Sequence, residues 1–377
     1  MRSLTNIWTP SKKLTMSSML NHLRGTSARP MDKRLIIRGQ LGDNSSYDYH
    51  SRIIIDGMME RGWDLCVVPY NSDAWSRVLD ERYERIIARQ PKWDAPTLII
   101  HPPKQTPDDP DRTVYSTMWE TTRIPQAWVS NLNRCRAVIV PSNPNIMTFS
   151  AQGVNSPMHC VPFGVDTSVF YSRSFVRRST VVFGTSGISR HGWPRKGFDE
   201  VVDAFLLAFP RGDEDVELRI KCYPRDPMPS WTDRRIVRDE GEWAKEELAG
   251  WYHSIDCYVS MSKGEGFGLM PLEAMACGRP CVIPAWFGPE SYAKESNSFL
   301  VDYKLVPATN YYEGQGLWCD PSVESAAKIM QNITKRPLMI NAKARQARID
   351  ASRFTYARMV DGYIDVINKY FYSTYGY

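Results

Sequence analysis

Twice along its 377 residues the chain alternates short apolar runs with helix-patterned stretches, and no other feature limits the fold as tightly. The first series is RLIIRG (34–39), WDLCVVP (63–69), PTLIIHPP (96–103), TVYSTMW (113–119), RAVIVPS (136–142) and MHCVPFGVD (158–166). The helical pattern SSYDYHSRIIIDGMMERG (45–62) separates the first two. The series restarts with STVVFGTSG (179–187). A helix at 197–209, a strand at 216–224, a helix at 242–255 and a strand at 256–262 follow. A short helix from Pro271 to Cys277 and a strand at 279–285 come next. Helix-rich stretches at 321–334 and 339–350 lead to a final helix at about 353–371. Parallel strands need long crossovers, usually helical, so this alternation predicts parallel sheets with helices on both faces.

The expected fold class is therefore α/β, with two Rossmann-like doubly wound parallel-sheet domains facing a cleft and a hinge near 165–178. The length suits two cores better than one. Hydrophobic residues make up 42% and charged ones 24%, a globular balance. No run approaches the ~20 apolar residues of a membrane span, and MRSLTNIWTPSKKLTMSSML lacks the apolar core of a signal peptide. The eight Cys are scattered without zinc-site spacing, and the six His form no HExxH. A reduced, cytoplasmic protein without structural metal is expected.

The net charge of +5 is concentrated at one end. Residues 1–34 hold seven cations and the single anion Asp32, which leaves the remainder about neutral. In this extension Met16, Met19, Leu20 and Leu23 recur at helical spacing beside Lys12, Lys13 and Arg24. That pattern suits contact with an anionic membrane surface or with nucleic acid. The plainer alternative is a mobile tail or a helix packed on its own domain.

The stretch SKGEGFGLMPLEAMACG (262–278) carries the densest chemistry. It leaves a strand end, where such sheets bind ligands. Gly264, Gly266 and Gly268 let the backbone approach a ligand, and Pro271 suits a first helical turn. A helix N-terminus favours a phosphate, while the carboxylates of Glu265 and Glu273 only accept, and so suit hydroxyls on either side of it. A nucleotide-sugar has that layout. Upstream, Arg190 and Lys196 follow a strand and glycine turn, as fixed cations for a departing diphosphate would.

These segments resemble the family 4 retaining glycosyltransferases of the GT-B fold. EGFGLMPLEAMACGRPCVIP matches their signature of two glutamates separated by seven residues. VPSNPNIMTFSAQGV, VFGTSGISRHGWPRKGFDEVVDAF and FTYARMVDGYIDVI agree in order with other family segments. The resemblance implies a metal-independent hexosyltransferase with a nucleotide-sugar co-substrate and no other cofactor. It assigns Arg190 and Lys196 to the diphosphate, with Glu265, Gly266, Phe267, Gly268, Leu269 and Glu273 around the donor. Arg195 takes a supporting role, and RRIVRDEGEW holds the base through its backbone. It divides the chain into a basic extension (1–33), an acceptor domain (34–168 with the returning helix 353–377) and a donor domain (169–352). The acceptor expected of the family is a glycan or glycolipid; a hydroxymethylated nucleic-acid base or a non-catalytic nucleotide-sugar binder are the alternatives.

The first half departs from the family at two places. Ser45-Ser46 stand where many members carry a glycine pair, and Trp119-Glu120 where many carry a histidine. Glu120 is thus a candidate to orient or deprotonate the acceptor hydroxyl, against a solvated or capping role. His101 and His191 are weaker candidates, as are Gly288 and Glu290. Asp109 with Asp111, and Asp213 with Asp215, have the spacing of a metal-binding pair but lie in polar turns.

Overall fold

A computed structural model describes residues 33–42, 46–70, 81–87, 94–173, 179–187, 193–224 and 231–372. The amphipathic pattern at Met16–Leu23, Ser45, Arg190 and His191 lie outside the described residues.

The first half runs β1 (Arg34–Gly39), α1 (Ser46–Glu60), β2 (Asp64–Pro69), α2 (Glu81–Ile87), β3 (Thr97–Ile100) and β4 (Thr113–Ser116). It continues with α3 (Gln126–Leu132), β5 (Ala137–Val140), α4 (Asn143–Ala151) and β6 (Met158–Cys160). All six strands pair in parallel, in the order β2-β1-β3-β4-β5-β6. Successive side chains point to opposite faces. Leu98 and Ile100 join the core that holds Ile54 and Met58 of α1, whereas Ile99 joins a second core with Trp119, Trp128 and Phe149. Both faces are covered, which is why these strands read as unbroken apolar runs.

The second half runs β7 (Val181–Ser186), α5 (Trp193–Lys196), α6 (Phe198–Ala208), β8 (Val216–Cys222) and β9 (Ile236–Glu240). Then come α7 (Lys245–Ser254), β10 (Cys257–Val259), α8 (Leu269–Ala276), β11 (Cys281–Ile283) and β12 (Ser298–Leu300). These strands also pair in parallel, in the order β12-β11-β10-β7-β8-β9. The chain builds outward from β7 to β9, then returns to the other flank of β7 with β10. β7 and β10 are thus neighbours where the strand order reverses, the place at which sheets of this kind bind ligands.

An antiparallel hairpin, β13 (Tyr303–Pro307) and β14 (Leu317–Pro321), precedes α9 (Val323–Lys335), α10 (Leu338–Ala351) and α11 (Tyr356–Phe371). Thr355 caps α11 by accepting from the Arg358 amide at 3.2 Å. This last helix returns to the first sheet. Tyr363 meets His50 at 2.6 Å and Ser116 at 2.5 Å, Asp361 pairs with Arg61 at 2.8 Å, and Tyr372 bonds the Arg34 backbone. Among the described residues, no helix is long and apolar enough to cross a membrane.

Strand β9 lies inside RRIVRDEGEW, which the sequence reading treats only as a base-holding segment. Among the described residues it is an edge strand, paired on one side only, and its residues stay half-exposed or exposed.

Candidate active site

The two connections leaving β7 and β10 carry the candidate residues. After β10, Ser260 to Gly268 form a loop; after β7, the described chain resumes at α5, whose sequence is WPRK. Gly197, with φ 67°, follows α5. A Cβ there would overlap the Met261 carbonyl just past β10, so only glycine lets the two connections lie this close. The close packing sets Lys196 beside the loop. Its Nζ lies 2.6 Å from Glu265 Oε1, Arg195 Nη1 lies 3.4 Å from Oε2, and Ser262 Oγ donates to Oε1 at 2.8 Å. Arg195 also donates to the Gly264 carbonyl. Lys263 anchors the loop from behind, 2.6 Å from Glu200 of α6 and 3.6 Å from Asp320 of the hairpin.

Burial alone would raise the Glu265 carboxyl, but Lys196 and Arg195 outweigh it and hold the group at about 2. Burial, with Arg195 beside it, lowers the Lys196 ammonium against the opposing pull of Glu265. The cluster is thus a nearly buried carboxylate with two cations, an arrangement in which the cations can exchange their internal partner for an incoming anion.

The first half closes over this loop. A Cβ on Gly264 would overlap the Glu120 carbonyl oxygen, and one on Gly266 would lie 2.9 Å from Met118 Sδ. The Gly266 carbonyl accepts from Asn145 Nδ2 at 3.0 Å and Ser142 Oγ at 3.1 Å. Asn145 in turn accepts from the Trp119 amide at 2.7 Å. Glu120 therefore reaches the cluster with its backbone fixed. Burial holds its carboxyl above the ordinary carboxylate range, with Glu265 adding to the rise and Arg195, Lys196 and a hydrogen bond to Tyr312 opposing it.

Glu273 stands apart from the cluster. It lies one turn into α8, is 7% exposed, and accepts from Tyr252 Oη at 3.0 Å. It lines a cavity of about 570 Å³, shared with Asp48, Tyr49 and Arg52 of α1 and with Tyr223 and Trp243. The two glutamates thus flank the start of α8 with different partners. Phe267 turns inward against Phe163, Tyr292 and Phe354, with ring centroids 5.5–5.8 Å apart, so its backbone, not its ring, is left to face a ligand. Gly268 caps α8 and its carbonyl accepts from Tyr292 Oη at 2.6 Å; Leu269 opens the helix. Gly288 donates its amide to the Glu265 carbonyl at 3.0 Å, whereas Glu290 is exposed.

Burial raises the Glu273 carboxyl to about 7, against the lowering hydrogen bond from Tyr252 and the charges of Lys245 and Lys221. A raised folded value contributes stability that is fully present below the ordinary value of 4.5 and is lost as pH rises through about 7. The shift is worth about 3 kcal/mol. Wild-type protein is therefore expected to lose melting midpoint between pH 5 and pH 8, and Glu273→Gln to lose much less. Equal losses in calorimetric scans of the two proteins would refute this origin of the pH dependence.

Among the described residues, no three His, Cys, Asp or Glu side chains gather as metal ligands would. Asp109 precedes the 3-10 turn Pro110–Arg112, Asp213 pairs with Arg211 at 3.2 Å, and Asp215 bonds Thr180. His101 bonds the Pro102 carbonyl through Nδ1 at 2.8 Å and packs against Tyr70. The sequence reading gives Arg195 only a supporting role and does not single out Ser262 or Tyr312; the structure brings all three to the Glu265–Glu120 junction. Adjacency to Lys196 in the short WPRK helix was the available signal for Arg195.

Comparison with known proteins finds similarity in the second half and in the overall fold. The family described as Glycosyl transferases group 1 matches residues 182–309, which hold Lys196, Glu265 and Glu273. The MMP alpha-(1->4)-mannosyltransferase of Mycolicibacterium hassiacum is 32% identical over 145 residues, 35% of this chain and 34% of that enzyme. The alignment thus spans about a third of that relative's length. A Rickettsia africae glycosyltransferase superposes with TM-score 0.65 at 11% identity, covering 92% of this chain and all of the other. The Anabaena protein HepE, in complex with UDP and glucose, superposes at 0.61 with 13% identity, covering 89% of this chain and 100% of its own. The chain therefore has the two-sheet GT-B fold of these glycosyltransferases, and its second half carries the match to the glycosyl transferases of group 1.

Proposed function

We propose that the chain is a retaining, metal-independent glycosyltransferase that moves a sugar from a nucleotide-diphosphate sugar to a hydroxyl of a glycan or glycolipid. The observation that carries this reading is the Lys196–Glu265–Arg195 cluster at the carboxyl ends of β7 and β10, closed over by Glu120. The donor belongs to residues 169–352. The acceptor belongs to residues 34–168 together with the returning C-terminal helix. The cations of Lys196, Arg195 and Arg190 stabilise the diphosphate as it departs. The acceptor oxygen bonds to the anomeric carbon as the carbon–oxygen bond to the diphosphate breaks. The hydroxyl proton passes to the departing phosphate oxygen on the same face, while Glu120 orients the hydroxyl. Closure of the two halves limits transfer to water. The matched segment 182–309 and the relatives' names as mannosyl transferases support the reaction class.

Isothermal titration of the full chain with UDP, GDP and ADP, first without metal and then with magnesium, is the direct test. Micromolar binding of one nucleotide without metal is expected. If none binds under either condition, the donor assignment falls.

A further inference from the structure

A row of rings leads outward from Glu120 along the carboxyl ends of the first sheet. Tyr47, in the first turn of α1, shares a hydrogen bond with Thr117 Oγ1 at 3.3 Å. Burial raises its phenol, with Glu120 among the charges that raise it further. The Tyr47 ring stands 6.3 Å from His101 at 42°, and His101 stands 4.4 Å from Tyr70 at 33°. Backbone bonds hold the row. The His101 amide donates to Ser116 at 3.2 Å and the Tyr70 amide to Gly39 at 3.0 Å. The Pro102 carbonyl only accepts, so the His101 nitrogen that meets it, Nδ1, carries the proton.

Two features set this row apart from core packing. Tyr70 keeps 39% of its surface exposed, and Tyr47 and His101 are half-buried. Covering such ring surface would be favourable, so the row leaves an apolar face for something to cover. The row also lies where the first sheet reverses its order. β2 and β3 flank β1 on opposite sides, so the connections after β1 and β3 diverge there, as a ligand crevice requires. At the outer end Arg38 pairs with Asp108 at 2.6 Å beside Tyr70, and offers donors and carboxylate acceptors with its charge already matched.

We infer that the exposed ring of Tyr70, backed by His101 and then Tyr47, is a stacking platform for a neutral pyranose ring of the acceptor. A pyranose fits on two counts. Its C–H face packs on rings, and its rim of hydroxyls meets the paired Arg38 and Asp108. An anionic polyol phosphate would instead call for a cation not already neutralised. The inference rests on the transferase reading above and names the acceptor side of the same cleft.

Saturation-transfer NMR on the full chain tests it, with methyl α-D-mannopyranoside, methyl α-D-glucopyranoside and myo-inositol 1-phosphate as separate probes. Irradiation of the aromatic protons is expected to saturate at least one pyranoside. The signal falls at least five-fold in Tyr70→Ala and in His101→Ala and persists in Tyr70→Phe, which keeps the ring and loses only the hydroxyl. Titration of the same samples with nucleoside diphosphate reports folding and separates the two readings. If no nucleotide binds the wild type while the pyranoside signal behaves as described, the donor assignment fails and the platform stands. The platform is overturned if the wild type saturates only the inositol phosphate or no probe. It is equally overturned if Tyr70→Ala retains the signal, or if Tyr70→Phe loses it.

Discussion

Lys196→Ala is expected to lower kcat/KM for sugar transfer at least about 100-fold while the chain stays folded. Removing one fixed donor from a preorganised anion site costs roughly 10²–10³ in rate, and the lysine charge also assists donor binding. The fold survives because Glu265 keeps Arg195 at 3.4 Å and Ser262 at 2.8 Å. Losing the ion pair at 2.6 Å should cost about 1–3 kcal/mol, within what a folded chain tolerates. Turnover with the nucleotide-sugar identified by titration, and the thermal midpoint of the same preparation, are the two readings. Undiminished turnover would remove the diphosphate role; an unfolded variant would show that the cluster is a structural brace first.

Gly264→Ala is the second large effect. Its new Cβ would overlap the Glu120 carbonyl, a backbone atom that cannot move aside without shifting the first half away from the loop. Overpacking of this kind costs about 1–3 kcal/mol, and a shift of about 1 Å between the halves can cost about 100-fold in rate. Gly266→Ala is the internal control. It meets the Met118 side chain at 2.9–3.0 Å rather than a closer backbone carbonyl, so it should cost less than Gly264→Ala. Midpoints by urea unfolding and transfer rates for both variants would decide. Equal effects at the two glycines would refute the steric argument.

The contrast between these glycines also marks how far sequence reasoning reaches. The runs TLII and AVIV announce β3 and β5 because both sheet faces are buried, and every position must then be apolar. IVRDE does not announce β9, since an edge strand need not be apolar throughout, and its pairing depends on β8 rather than on its own pattern. The hairpin β13–β14 escapes for the same reason. Tyr303, Lys304 and Leu305 stay exposed, and the partner strand supplies Cys319 and Trp318. At the site, Glu265 and Glu273 are legible by spacing, yet spacing cannot tell that one pairs with two cations while the other accepts from Tyr252 and lines a cavity. Nor does any local pattern bring Arg195 and Tyr312 to Glu120. That meeting is made by the approach of the halves.

The return of α11 to the first sheet has a consequence for how the protein is made. Roughly 200 residues separate β6 from α11, so a translating ribosome needs about 10–40 s to deliver the helix that Tyr363 and Asp361 anchor to α1 and β4. Throughout that interval the nascent first half lacks its covering helix, and Met58 and Phe163 are deprived of neighbours such as Val360 and Tyr363 in the shared core. Although synthesised first, the amino-terminal half is thus the last to be completed, and it is the half that a chaperone would have reason to hold.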